Sequence, residues 1–396
     1  MAVTVVAQTP ARGGAQSEAV TPRERLKTVL RGGIPDCVPV APDFSNMIPA
    51  RLTGKPFWDL YLYNDPPIWE AYIECAKRFE IDSVMDGYFP LRLPGEPDPE
   101  EGWEKFIVFR TSERIVTQRS RKENGKRVWQ PVVDVYYVAD PPTENVEPGR
   151  ISLPSEPERW EPLEGVKPVD TGPAGLRRVM SLMGDQGLVG VWLAHTAALG
   201  NEQQIMDYYM NPDKHEQWAA ERVQAVEARF ARVMAMDIRP DFLCVGGSGT
   251  LVYQTVEMFR QLAFPAVKRA IELATAAGIP TQVHSCGPEK ELVKIFAEET
   301  TLTVIDPLEV PPMGDCVLAD LKRLYGSRVV LKGNLHTTNV MLRGTVDDVV
   351  AASRKAIDDA AEAGRFILST GDQCGRDTPD ENLRAMIETA RTYGRY

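Results

Sequence analysis

The sequence predicts a (β/α)8, or TIM, barrel carrying an antiparallel β insertion after its second strand. Three observations carry that reading. Eight short apolar, β-branched runs recur along the chain, each ending in polar residues. Amphipathic helical stretches lie between most of them. One segment, from 93 to about 175, breaks this alternation and reads as an addition to it.

Taken in order, residues 1–20, MAVTVVAQTPARGGAQSEAV, read as a loose tail. They lack the basic leader and long apolar run of a signal peptide. Thr21-Pro22-Arg23-Glu24 is a helix start, with Thr21 as cap, Pro22 in the first turn and Glu24 closing a capping box. The barrel domain is therefore expected over 21–396. Its strands are Val38–Phe44, Asp82–Tyr88, Leu188–His195, Phe242–Gly247, Pro280–Cys286, Val304–Glu309, Val329–Leu335 and Phe366–Asp372. Helices are predicted over Ile68–Glu80, Glu216–Met236, Glu257–Ala277, Glu289–Glu298, Val317–Tyr325 and Val346–Ala363, with Gly278, Gly326 and Gly364 where C-caps belong.

Within the insertion, Phe106–Val138 reads as a hairpin turning at Asn124-Gly125. The proline-rich stretch Asp140–Gly175 then reads as an extended wrap. Loops of this kind gather at a barrel mouth, so the insertion is expected to cover it. A doubly wound open sheet is the rival fold, and it would carry a glycine-rich phosphate turn after an early strand. Gly246-Gly247-Ser248-Gly249 follows the fourth strand instead and reads as a tight strand-to-loop turn.

The composition narrows the function. With 45 Lys+Arg against 56 Asp+Glu the net charge is −11, the wrong sign for gripping nucleic acid or an anionic membrane. No run approaches the roughly 18 apolar residues of a spanning helix. Six cysteines in 396 residues are too dilute for a disulfide scaffold, which points to a reduced, cytoplasmic setting.

In a barrel the carboxyl ends of the strands form one face, and chemistry gathers there. Those ends carry Asp43, Asp86, His195, the Gly246–Gly249 turn, His284 with Cys286, Asp306 with Glu309, Asn334 with His336, and Asp372 with Cys374. In extended backbone, residues i and i+2 face the same side, so His284 and Cys286 can reach one ion together. Cys374 lies on the same rim. One imidazole and two thiolates with an open fourth position form a catalytic zinc arrangement. The alternative is two packed free cysteines and a hydrogen-bonded histidine. So thiolate-rich an ion suits the activation of another thiol, hence alkyl transfer more than hydrolysis.

These residues resemble the uroporphyrinogen decarboxylase superfamily. The pieces that carry the resemblance are PTQVHSCG (280–287), VVLKGNL (329–335) and ILSTGDQCGRDTPDENLRAMIETARTYG (367–394). The resemblance implies the barrel fold. It is to the branch that moves methyl groups from a methylated corrinoid to coenzyme M or tetrahydrofolate, with zinc held at His284, Cys286 and Cys374. The decarboxylase's arginine-rich segment is missing, since Pro39–Gly54 contains Arg51 alone. The corrinoid-binding pattern D-x-H-x-x-G is also missing, so cobalamin would arrive on a separate corrinoid protein.

The resemblance further implies an acidic pocket residue at Asp86, which a turn aspartate would also explain. Glu309 is a candidate fourth ligand or an acceptor for His284, and otherwise a solvated loop charge. His195 is a candidate proton donor or a satisfied rim histidine. Asn334, His336 and Gly247 are candidate contacts to cofactor or substrate. Cys37, Cys75, Cys244 and Cys316 read as packing residues, and His215 as a surface group. Tyr208-Tyr209-Met210 reads as core or dimer contact.

The expected activity is zinc-dependent methyl transfer to a thiol or to tetrahydrofolate, by a monomer or homodimer. The alternatives are a decarboxylase-like lyase on a smaller acid and a non-catalytic binder of a corrinoid or porphyrin.

Overall fold

The computed structural model describes residues 19–44, 46–98 and 100–396. Nearly all of the N-terminal tail lies outside these residues. The helix start at Thr21 is as expected: the Thr21 hydroxyl accepts from the Glu24 N–H, and the Glu24 carboxylate accepts from the Thr21 N–H.

Two sheets organise the chain. The strands, numbered in chain order, are β1 Ser83–Asp86, β2 Glu104–Arg110, β3 Arg114–Glu123, β4 Lys126–Tyr137, β5 Thr143–Val146, β6 Glu161–Pro162, β7 Gly187–Trp192, β8 Phe242–Cys244, β9 Thr281–His284, β10 Val304–Asp306, β11 Val330–Leu335 and β12 Phe366–Thr370. A curled parallel sheet runs β1-β7-β8-β9-β10-β11-β12, with helices following its strands. The antiparallel sheet runs β5-β4-β3-β2-β6 and is built wholly from the insertion.

The parallel ladder has seven strands where eight were expected. The first, expected over Val38–Phe44, is reduced to one parallel bridge between Val40 and Leu368. Pro39 and Pro42 explain this, because neither offers an N–H to a ladder. The segment still bonds to the strands at both edges. Leu368 N–H donates to the Pro39 carbonyl and Ala41 N–H to the Leu368 carbonyl, while Asp82 N–H donates to the Val40 carbonyl.

The predicted helix Glu257–Ala277 is broken into Val256–Met258, a wide π turn at Phe259–Ala263, and Phe264–Ala276. Pro265 lacks an N–H and its ring crowds the carbonyl four residues back, so the regular ladder cannot run through it. The hairpin turn falls at Asn124-Gly125 with φ of 50° and 79°, the left-handed pair a two-residue hairpin requires.

The main core fills the space between the parallel sheet and its helices, around side chains such as Phe259, Phe264 and Phe296. A second cluster lies at the other end of the strands. There Leu26 and Val29, from the helix Pro22–Leu30, pack with Phe242, Val304, Val330 and Ile367. Burying each of these side chains contributes about 1.5–3 kcal/mol. That helix is pinned by Arg25, which bonds Asp82 at 2.6 Å and Asp36 at 2.7 Å.

Candidate active site

Parallel registers set Asp306 beside His284 on neighbouring strands. Period-two alternation turns Gln282 and His284 of β9, Asp306 of β10 and Lys332 of β11 to one side, where they meet Asp86 of β1. Gln282 Nε2 donates to Asp306 Oδ1 at 2.7 Å and to Asp86 Oδ2 at 3.1 Å. Lys332 Nζ donates to Asp306 Oδ2 at 2.7 Å. His284 Nδ1 lies 3.3 Å from the same oxygen, and His284 Nε2 lies 3.6 Å from Asp372 Oδ1. The interior is therefore apolar at the end covered by the first helix and ionised at the carboxyl ends.

Burial and charge divide these groups. Burial raises the Asp86 carboxyl to about 7, and the neighbouring Asp306 and Asp43 charges add to this against Lys332 and His284. Burial alone would also raise Asp306, but the Lys332 ammonium and His284 hold it down at about 2. Burial works against charge on His284, yet its bonds to Asp306 and Cys286 and the Asp86 charge hold it well above its ordinary value. Asp372 is raised to about 6, chiefly by burial, with His284 opposing.

His284, Cys286 and Asp372 present one ligand atom each within 4.8 Å of one another, a spacing one ion can bridge. The expected pair is thus brought together. Cys374, expected as the third ligand, does not join them among the described residues. It is fully buried, its N–H donates to the Asp43 carbonyl, and its thiol bonds Thr370 and is pushed up to about 12 by burial. The turn after β12 explains the two placements. Asp372 has a φ of 95°, a strained value for a residue with a side chain, and this aims its carboxylate at His284 while Cys374 turns inward.

The other expected residues have distinct places. The Glu309 carboxylate accepts the Gly287 N–H at 2.5 Å, so it is buried and fixes the loop behind Cys286 rather than joining the donor cluster. Gly247 donates its N–H to the His284 carbonyl at 2.7 Å. Its neighbour Gly246 allows this close approach, since a Cβ there would stand 2.3 Å from the His284 nitrogen. His195 stacks on Trp192 at 4.9 Å, and burial, Arg229 and Arg222 hold its ring below the ordinary value. Asn334 and His336 line a separate cleft with Val310, Val317 and Lys355. Asn334 donates to the Leu308 carbonyl, and His336 Nδ1 accepts the N–H groups of Thr338 and Asn339.

His215, read as a surface group, is half-buried; it stacks on Tyr208 at 4.2 Å and bonds its carbonyl. Lys332, Gln282 and the role of Asp372 were missed. Their only sequence signal is a polar residue at every second position of an apolar run.

Residues 203–393 match the family model described as uroporphyrinogen decarboxylase (URO-D). Over that stretch the chain is similar to the uroporphyrinogen decarboxylase family, in line with the resemblance of its motifs. Among solved structures it is similar to a methyltransferase from Methanosarcina mazei, at 16% identity and a TM-score of 0.56, over 95% of this chain and 99% of that one. At this identity the likeness speaks for the fold. No curated protein matches the sequence. No helix among the described residues is long and apolar enough to cross a membrane.

Proposed function

We propose that the protein is a zinc-dependent methyltransferase on a (β/α)8 scaffold, moving a methyl group from a methylated corrinoid to a thiol or to tetrahydrofolate. The single observation that carries the reading is the cluster of His284, Cys286 and Asp372 at the carboxyl ends of the strands. An imidazole, a thiol and a carboxylate are zinc's preferred donors, and a three-residue set leaves a place for substrate. Bound there, zinc would supply a site at which an acceptor thiol is held as thiolate at neutral pH.

The chain's own residues do the rest. Asp306 fixes the His284 ring. Glu309 and Gly246 hold the loops on either side of it. Asp86, raised to about 7, is available in its carboxylate form near neutrality to take the proton that a folate nitrogen gives up as it is methylated. A methylated corrinoid would supply the methyl group as an electrophile, and the acceptor sulfur or nitrogen would take it while giving up its proton. The donor fits a separate corrinoid protein. The segments after β7, β8 and β10 expose Met206, Tyr209, Met210, Tyr253 and Met313, apolar side chains suited to a protein partner.

The neighbour described as a methyltransferase supports this reading over decarboxylation. So does Arg51, the one arginine of Pro39–Gly54, which is already paired with Asp380 at 2.6 Å and is not offered to a polycarboxylate. The test is metal content joined to methyl transfer. One zinc per chain is expected, reduced well below one in Cys286→Ala and in Asp372→Ala. Methylcobalamin with a thiol or tetrahydrofolate should lose its methyl–cobalt absorbance with the native protein and keep it with Cys286→Ala. A native protein without metal, or one that releases carbon dioxide from a porphyrinogen and moves no methyl group, overturns the proposal. Full zinc in Asp372→Ala with loss in Cys374→Ala would transfer the third position to the cysteine.

A further inference from the structure

The donor atoms around His284 form two groupings that share its ring. His284, Cys286 and Asp372 make the first, and Asp86, His284 and Asp306 make the second. The two ring nitrogens point to different carboxylates, Nε2 to Asp372 and Nδ1 to Asp306. On spacing alone either grouping could bridge an ion.

The second is already served by a cation. Lys332 Nζ stands 2.7 Å from Asp306 Oδ2, with side-chain exposures of 4% and 2%. Gln282 supplies donors to the other Asp306 oxygen and to Asp86. The anionic oxygens on this side are thus met by groups of the chain itself. A buried ammonium is retained only where carboxylates surround it, and Asp306, Asp86 and Asp43 all act on Lys332. A divalent ion seated among the same oxygens would meet that ammonium at close range, and the two would repel strongly.

We propose that Lys332 is a built-in cation that fills the Asp86–Asp306 side of the cluster and confines a divalent metal to the Nε2 side of His284, with Asp306 as the positioning residue that turns the ring. Asp306 is the acceptor for a proton on Nδ1, so the nitrogen that a metal would take, by displacing its proton, is Nε2, on the side of Asp372. The inference rests on the metal reading given above.

Its test needs no activity. The full chain, labelled with 15N-histidine, is loaded with 113Cd2+; the ions per chain are counted and the nitrogen of His284 coupled to cadmium is identified. The native protein should bind one ion through Nε2. Lys332→Met should take a second ion, with coupling reaching Nδ1. Lys332→Met/Asp306→Asn removes the buried charges as a pair, which guards against a fold lost to an unbalanced carboxylate. It should return to one ion through Nε2, held about 10–100-fold more weakly because a neutral amide now accepts from Nδ1. Native coupling through Nδ1 overturns the inference and leaves the metal reading intact. So does a Lys332→Met protein that binds one ion through Nε2 with native affinity, or a double variant with native affinity. A native protein that binds no cadmium overturns both.

Discussion

At the scale of single residues, the site is a set of carboxylates pushed to opposite ionisation states by their neighbours. Asp306 touches Lys332 and stays charged, whereas burial, with the charges of Asp306 and Asp43, raises Asp86 to about 7. An activity that needs the carboxylate form of Asp86 as proton acceptor is therefore present above about pH 7 and lost as the pH falls through it. A rate profile for tetrahydrofolate methylation should show that inflection, and Asp86→Asn should abolish it while lowering the rate about 10²–10⁴-fold. An unchanged profile in Asp86→Asn would assign the proton to another group.

At the scale of elements, the helix Pro22–Leu30 is held by charge as much as by its apolar face. Arg25 spans Asp36 and the fully buried Asp82, whose other oxygen is met by Arg391 at 2.9 Å and by the Val40 N–H at 2.8 Å. Arg25→Ala leaves Asp82 half-paired, at a cost of about 2–4 kcal/mol in denaturant unfolding. The pH dependence has a definite sign. Burial alone would raise Asp36, but Arg25 holds it below its ordinary value. That contribution is present above the unfolded carboxylate's pKa and is lost as the pH falls through the folded one. The gap between native and variant stability should therefore narrow in acid, and a gap that widens there would refute the assignment.

Across the whole molecule, the insertion and the site are tied together. Arg376, two residues past Cys374, donates to the Ala139 carbonyl at 2.6 Å, and Arg229 pairs with Glu96. Shortening the hairpin around Asn124-Gly125 should weaken engagement of a corrinoid protein at least several-fold while leaving zinc bound. Loss of zinc together with unfolding would make the segment structural instead. The same scale shows what a sequence can disclose. The capping box at Thr21 and the Asn124-Gly125 turn were legible because their bonds close within a few residues. The β/α order was legible from its periodicity. The reduction of the first strand was overlooked although Pro39 and Pro42 announce it. The closeness of Asp372 to His284 was not legible, because an alternating reading cannot foresee a backbone at φ 95°. Lys332 stands as one charge in an apolar run; only the register of β10 on β11 brings it beside Asp306.

The burial of the cysteines has a practical outcome. Cys37, Cys75, Cys244, Cys316 and Cys374 are buried and Cys286 is half-exposed. Burial raises the thiols of Cys75, Cys244, Cys316 and Cys374, which makes them poor nucleophiles. Iodoacetamide should consequently tag the native chain once, at Cys286, and mass spectrometry of the digest would show it. Since that sulfur is the one proposed to hold the ion, the alkylation rate becomes a gauge of occupancy, slow when loaded and fast after a chelator.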